Sequence, residues 1–315
     1  MLNYLKLFFY SIFYLMIINS IVIAAYPSKP IRLLVGFSAG GSADNSARII
    51  SAKISESLKG RIIVENRGGA GGVVAASIVA NSAPDGYTLL LSSPGALTIS
   101  QILEGNLPYK TATAFTPIGL AVTFCSALIV SNDSGITSIK SLIVSARDSP
   151  GKLQFATQGI GSTGHLAGEL MQMMTGIKLV HIPYKGANEI MTAILGNEMQ
   201  LGFTSSSVAS AMRNRIKILA VTSLNRDLTL PDIPSMHESG LTNYEAIFWY
   251  GLLAPANIDE KLVKLLNVNL QEALNSADVI KTTRLQGLNA KPSSPQYFKG
   301  IIESDYQKWF RVIKH

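Results

Sequence analysis

The sequence is poor in cysteine and in charge. Its 315 residues include one cysteine, Cys125, so the chain cannot form an internal disulfide or supply a cysteine metal cluster. Only 15% of the residues are charged, and the lysines and arginines are scattered, unlike the basic stripe of a nucleic-acid-binding protein. The glycines of the first glycine-rich turn lie at 36, 40 and 41, without the G-x-G-x-x-G spacing of a dinucleotide site. We therefore expect no nucleic-acid partner, no cofactor and no metal.

The N-terminus carries a long apolar run. Residues 7–25 follow the single charge of Lys6 and end in the small residues Ala24 and Ala25. This pattern is typical of a secretory signal, so we predict a signal peptide over residues 1–25 and a periplasmic protein. An uncleaved membrane anchor is the alternative, because the run is long for the apolar part of a signal.

A glycine-rich turn near the start of the mature chain is the strongest sign of a site. The apolar run 31–35 predicts a strand, and apolar residues at three- and four-residue spacing predict a helix over 42–59. The turn 36–44 therefore joins a strand to a helix. The first turn of a helix has N–H groups without internal partners and a partial positive charge, and glycine allows close approach. Such a turn favours a carboxylate or phosphate, and the net charge of +7 agrees with an anionic ligand.

The same plan recurs later in the chain. A predicted strand at 153–156 leads through Gly159–His165 into another amphipathic helix. Strands that alternate with helices predict a parallel sheet with helices on its faces, where ligands bind beyond the carboxyl ends of the strands. Ser92 and Ser93 end a third strand at that edge. Extended runs near 115–135 and 248–255 predict two crossings between lobes, and hence a hinged clamp that closes on one anion.

Short motifs along the chain resemble the Bug-type extracytoplasmic solute receptors of tripartite tricarboxylate transporters. The first is Gly40–Arg48, which resembles the signature G-G-x-x-D-x-x-A-R. The others follow in order: Val64–Arg67, Ala83–Leu89, Gly161–Glu169, Ile182–Gly186, Ala220–Ser223 and Gly251–Pro255. The resemblance as a whole spans residues from about 26 to 312.

This resemblance implies a type II periplasmic binding protein-like α/β fold, with two α/β domains joined by crossing strands and a ligand cleft between them. We place domain 1 at 26–124 and 249–315 and domain 2 at 125–248. The resemblance also implies a small carboxylate ligand, such as an organic acid or a di- or tricarboxylate, and delivery to membrane permease subunits. We expect a monomer, and a ligand sensor for a signalling partner is an alternative.

We expect the ligand-binding residues to come from both lobes. They are Phe37, Ser38, Ala39, Gly40, Gly41, Asp44, Ser92, Ser93, Ser162, Thr163, His165 and Thr204. Asp44 also has a structural interpretation, as an acid in the first helical turn paired with Arg48. Ser162 also fits a helix cap, and His165 is expected to bind as a neutral ring.

Two departures from the family pattern concern the ligand. Ser38 and Ala39 replace two prolines that the family usually has, and Thr204 stands where the family often has an aspartate. The loss of that carboxylate argues against an amino-acid ligand and favours an uncharged or carboxylate far end.

The main rival is an enzyme. Residues 36–40 fit G-x-S-x-G, the nucleophile elbow of α/β-hydrolases, with Ser38 as the nucleophile and His237 and Asp232 as conceivable partners. Hydrolases place this elbow after several strands, whereas here it follows the first strand of the mature chain. We therefore expect no catalytic residue.

Overall fold

The computed structural model describes residues 26–184 and 186–314. The predicted signal peptide lies outside the described residues. None of the described helices combines the length and the apolar composition that a membrane crossing requires. The predicted alternation of strands and helices is confirmed, with most boundaries within two residues of those expected.

The described strands are β1 (Ile31–Val35), β2 (Ile62–Asn66), β3 (Thr88–Ser92), β4 (Phe115–Val130), β5 (Gln154–Thr157), β6 (Val180–Pro183), β7 (Leu201–Ser205), β8 (Lys217–Val221), β9 (Ile247–Pro255) and β10 (Asn289–Ala290). The α-helices are α1 (Ser42–Leu58), α2 (Val73–Ala80), α3 (Ser100–Glu104), α4 (Thr111–Ala114), α5 (Ile139–Asp148), α6 (Thr163–Thr175), α7 (Ala187–Leu195), α8 (Ser206–Ala211), α9 (Glu260–Asn275), α10 (Ala277–Leu285) and α11 (Pro295–Ile313). Short 3-10 turns cover Ala70–Gly72 and Asn132–Ser134, and a π-helical turn covers Gly95–Ile99.

The strands form one mixed sheet in the order β2-β1-β3-β9-β4-β7-β5-β6, and β8 and β10 also pair with β4. Strands β1, β2 and β3 are parallel, as are β5, β6 and β7. Between these two parallel groups run the antiparallel strands β4 and β9. The residues of β4 up to Cys125 pair with β9, the following five pair with β7, and the last four of those five also pair with β8. These two strands are the predicted crossings.

Apolar side chains cover both faces of each half of the sheet. On β1, Leu33 faces the helices α1 and α9, whereas Leu34 faces α2 and the start of α11. Because both faces of these strands are buried, their sequences are continuous apolar runs, as is typical of parallel strands in α/β proteins. Helices α5 and α6 cover one face of the second half, and α7 and α8 cover the other.

The last helix contacts both halves. Phe298, near the start of α11, is buried with β1 and β3, whereas Trp309 is buried with α5 and α6 and stacks on Phe248 at 5.3 Å between ring centroids. Helix α11 therefore crosses the predicted domain division, which stays a prediction.

Candidate functional site

A cavity of about 1130 Å³ lies where the two parallel groups of strands end. Its walls come from both halves of the sheet. The first half contributes Gly40, Gly41 and Ser93, and the second contributes Ser162, Thr163 and Ser205. The predicted glycine-rich turns thus meet at one cavity.

The first turn connects β1 to α1. Gly41 is the N-cap of α1, with an extended φ of −79°, and Gly40 has a φ of +80° that favours glycine. Gly36 packs against another glycine-rich turn, residues 68–72, because a Cβ added to Gly36 would lie 2.5 Å from the Cα of Gly72. The turn 68–72 therefore shapes the first turn from behind, and its Gly71 also lines the cavity.

Asp44 fixes the shape of this first turn from inside the protein. Its Oδ2 accepts hydrogen bonds from the Gly40 N–H and from Arg48 Nε, both at 2.9 Å, and its Oδ1 accepts one from Asn66 Nδ2 at 3.0 Å. Burial alone would raise the pKa of Asp44, but the hydrogen bonds from Arg48, Gly40 and Asn66 outweigh it and lower the pKa. Asp44 is buried behind the turn and is not among the described residues that line the cavity, and its hydrogen bond from Arg48 is the pairing expected from the sequence.

The second turn connects β5 to α6. The Ser162 hydroxyl caps α6 by accepting from the His165 N–H at 3.3 Å, and Thr163 Oγ1 accepts from Ser126 Oγ at 3.3 Å. His165 lies behind the turn, where its Nδ1 accepts from the Gly161 N–H at 3.2 Å. Burial, with the adjacent His181, lowers the pKa of His165 to about 4, so this ring is neutral at neutral pH.

The second turn has a glycine spacing that the sequence analysis did not consider. Gly159, Gly161 and Gly164 match G-x-G-x-x-G between a strand and a helix. Gly164 serves packing, because an added Cβ would lie 2.8 Å from Phe203 Cβ. The following strand, β6, ends at Pro183 without the acidic residue that binds a nucleotide ribose in such sites.

The predicted site residues divide into two groups. Those that line the cavity are Phe37, Gly40, Gly41, Ser93, Ser162 and Thr163. Those that do not are Ser38, Ala39, Asp44, Ser92, His165 and Thr204. Ser38 and Ala39 are exposed on the first turn, Ser92 is buried at the end of β3, and Thr204 is buried one residue before Ser205.

An aromatic wall completes the cavity. It consists of Phe37, which was predicted at the site, and of Phe124, Phe248 and Tyr250, which the sequence analysis did not place there. The rings of Phe124 and Tyr250 lie 4.9 Å apart, and the Tyr250 hydroxyl shares a 2.8 Å hydrogen bond with Ser42 Oγ. Burial raises the pKa of Tyr250 to about 12, so its hydroxyl stays protonated. The sequence does contain a sign of this wall, the aromatic run 248–250, but we assigned that run to a crossing strand.

The proposed catalytic partners of Ser38 are engaged elsewhere. His237 Nδ1 accepts from the Asn243 N–H at 2.9 Å, and Asp232 pairs with Arg213. Across residues 26–184 and 186–314, no group of three or more His, Cys, Asp and Glu side chains is arranged to hold a metal ion.

Similar proteins are known by sequence. The family described as tripartite tricarboxylate transporter family receptor matches residues 46–315. The chain is 34% identical to BugT of Bordetella pertussis over 92% of this chain and 90% of that protein. It is also 34% identical, over 92% of this chain and 87% of the relative, to a protein of Pseudomonas sp. (strain P51) encoded in the tcbD-tcbE intergenic region.

Solved structures show the same fold. A Rhodopseudomonas palustris protein, Rpa4515 with adipate, matches with a TM-score of 0.82 and 30% identity over 92% of this chain and 97% of that one. The periplasmic binding protein BugD matches with a TM-score of 0.76 and 32% identity, over 92% and 98% of the two chains. MatC of R. palustris with bound malate matches with a TM-score of 0.79 and 25% identity, over 91% and 100%.

Proposed function

Because the chain belongs to the tripartite tricarboxylate transporter receptor family, a family of solute-binding proteins, we propose that it clamps a small carboxylate between two helix N-termini. The observation that carries this proposal is that the starts of α1 and α6, from opposite halves of the sheet, line one cavity. The relatives whose titles name adipate and malate support a carboxylate as the ligand.

Neutral groups would hold the anion. Among the described residues that line the cavity there is no lysine or arginine. A helix N-terminus stabilises a partly buried anion by up to about 2 kcal/mol, and each N–H or O–H hydrogen bond to a charged group adds about 1.5–3 kcal/mol. Two helix starts together with several backbone N–H bonds and the hydroxyls of Ser93 and Thr163 reach the range that micromolar affinity requires, about 8 kcal/mol after the costs of association.

The wider role follows the family. We propose that the protein works in the periplasm as a monomer with the two predicted domains, and delivers its ligand to membrane permease subunits. The match to a family of receptors does not support the alternative function, an esterase that uses Ser38 as its nucleophile. If the protein delivers its ligand to a permease, cells that lack the protein should take up less of the bound acid than wild-type cells do.

The first test places a negative charge where the carboxylate is proposed to bind. Aspartate caps helices as well as serine does, so Ser162→Asp keeps the cap of α6 and repels a bound anion. We expect at least a tenfold loss of affinity for every carboxylate, measured by isothermal titration calorimetry with adipate, malate and related acids. The matched control is Ser138→Asp at the N-cap of α5, outside the cavity lining, which should leave affinity unchanged.

A second variant tests the other helix start. Gly41→Val places a side chain at the first turn without a backbone clash, because its Cβ comes no closer than 3.4 Å to Ser38 O. Both variants should melt close to the wild-type temperature while they bind poorly. Wild-type affinity in both would refute the proposed clamp.

A further inference from the structure

The aromatic wall of the cavity comes mainly from the two crossing strands. Phe124 of β4 is paired with Phe248 of β9, and Tyr250 lies two residues after Phe248. Paired residues, and residues two positions apart on a strand, point to the same face of a sheet, so the three side chains share one face. In the order of the sheet, β9 and β4 lie between β3 and β7. The wall therefore lies between the two glycine-rich turns that open α1 and α6, which follow strands of opposite halves.

The rings of this wall form a continuous row. The ring centroids of Phe37 and Tyr250 lie 6.2 Å apart, and those of Tyr250 and Phe124 lie 4.9 Å apart. The row ends at Phe248, whose ring centroid is 6.3 Å from that of Phe124, and all three separations are those of rings in contact. Phe37 belongs to the first glycine-rich turn, and the Tyr250 hydroxyl bonds to Ser42 in the first turn of α1. The body of an acid bound at that helix start would therefore lie along the rings.

Phe124 lies inside this row and keeps part of its surface exposed. By contrast, Phe248 and Tyr250 beside it are only 2% and 6% exposed. Phe124 packs against the apolar cores of both halves, because β4 passes from β9 to β7 directly after Cys125. Since Phe124 also lines the cavity, its exposed surface is apolar area that a ligand can remove from water.

Apolar and polar side chains occupy different parts of the cavity. Further apolar side chains line it from both halves, among them Leu166, Val208 and Leu288. Most of the polar lining side chains lie in turns or in the first turns of helices, for example Asn45 of α1, Thr163 of α6 and Asn188 of α7. The cavity therefore offers hydrogen bonds at its helix starts and mainly apolar contact over the crossing strands.

The volume of the cavity allows a ligand with a bulky body. Its 1130 Å³ exceeds the volume of about 300–1,000 Å³ that is usual for pockets that bind small molecules. A short hydroxylated acid carries polar groups along its whole length, and groups pressed against the rings would lose water without gaining a hydrogen bond. A flat hydrocarbon ring has no such groups to desolvate, and it packs favourably against other aromatic rings.

From this arrangement we propose that Phe124 and the row of rings around it recognise a flat apolar body, so that the ligand is an aryl carboxylate. The inference rests on the proposed function, which supplies the site for the carboxylate at the helix starts. It concerns the body of the acid and not the number of its carboxylates. Phe124 determines the specificity, because its exposed ring surface contacts the body of the ligand between the two halves.

The experiment is calorimetric titration of the mature chain with acids that differ only in the flatness of their ring. The pairs are benzoate with cyclohexanecarboxylate, phenylpropanoate with cyclohexylpropanoate, and terephthalate with trans-cyclohexanedicarboxylate, and malate and adipate are titrated beside them. We expect the tightest aryl acid to bind at least about tenfold more tightly than malate, because it buries apolar area against the rings. It should also bind at least about threefold more tightly than its saturated counterpart, because only the flat ring stacks well.

Variants of the wall assign the preference to its rings. Phe124→Leu keeps an apolar side chain but removes the ring, so the preference for the aryl acid over its saturated counterpart should disappear while malate binds as before. Phe124→Tyr keeps the ring and should keep the preference. The matched control is Phe310→Leu on α11, which removes a 43% exposed ring outside the described cavity lining and should change no affinity.

A second position guards against a folding defect, because Phe124 also packs against both cores. Phe37→Leu changes the other end of the row, on the first turn, and should also reduce the preference for the aryl acid. If the saturated acids bind the wild type as tightly as the aryl acids, or if both leucine variants keep the preference, the inference is wrong and the carboxylate clamp stands. If none of the acids binds, or if each binds Ser162→Asp as tightly as the wild type, the proposed function itself fails.

Discussion

At the scale of single residues, Asp44 shows what sequence spacing can and cannot reveal. Its position in the first helical turn and its pairing with Arg48 four residues later are readable from the sequence, and Arg48 Nε donates to it. The bonds from the Gly40 N–H and from Asn66 depend on how β2 packs beside β1, which no local pattern encodes. Similarly, Ser162 and Thr163 were found as polar residues at a helix start, but Tyr250 reaches the cavity only through strand pairing.

Replacement of Asp44 should destabilise the protein. Asp44→Ala removes a buried acceptor from three donors, so we expect the free energy of unfolding to fall by about 3 kcal/mol at pH 7 in urea titrations. The control is Asp232→Ala, whose exposed pair with Arg213 contributes about 1 kcal/mol or less. Equal losses in the two variants would show that the network around Asp44 does not hold the turn.

The same variant has a defined pH dependence. The pKa of Asp44 is lower in the folded protein than its ordinary value near 4, so its stabilisation is present above that value. The stabilisation is lost as the pH falls through the folded pKa. The difference between wild type and Asp44→Ala should therefore shrink progressively below about pH 4.

At the scale of elements, long periodic segments were predictable and short ones were not. The helix predicted over 42–59 is found as α1, and the extended run near 115–135 is found as the single strand β4. The π-helical turn, α8 and β10 span six residues or fewer, and tertiary contacts decide their conformation. Both the π-helical turn and α8 line the cavity, so part of the site was hidden for this reason.

Helix α6 lies close to the sheet because one of its faces carries glycine. A Cβ added at Gly168 would lie 2.3 Å from the Phe155 ring, so Gly168→Ala should push the helix away and lower the free energy of unfolding by about 1–3 kcal/mol. The control is Gly300→Ala in α11, where an added Cβ meets nothing within 4 Å. That variant should be neutral or stabilising by up to about 1 kcal/mol. In urea titrations, only Gly168→Ala should lower the free energy of unfolding.

At the scale of the whole molecule, two parallel groups of strands share one sheet, and the crossings β4 and β9 join them. The alternation of strands and helices predicted the two groups, and the two extended runs predicted the crossings. The path of α11 was not predictable, because its apolar residues indicate a buried face but not which half they contact. Phe298 contacts the first half and Trp309 the second.

Loss of Trp309 should therefore weaken the attachment of α11 to the second half. Trp309→Ala should lower the free energy of unfolding by about 3–5 kcal/mol, because the ring is fully buried against Phe248. Phe310→Ala changes the next residue, which is 43% exposed, and should cost about 1 kcal/mol or less. Similar effects of the two substitutions in calorimetric unfolding would contradict the assignment of Trp309 as the anchor.

Under the proposed function, the two helix starts that meet at one cavity have a consequence for how the protein moves in an electric field. Backbone amides and hydroxyls bind a carboxylate without taking up a proton, so the bound acid adds its own negative charge to the protein. Each captured monocarboxylate makes the protein one unit more negative, each dicarboxylate two, and both lower its isoelectric point. Occupied and unoccupied molecules thus differ in electrophoretic mobility, and a membrane component could distinguish them by long-range electrostatics before any contact with the acid itself.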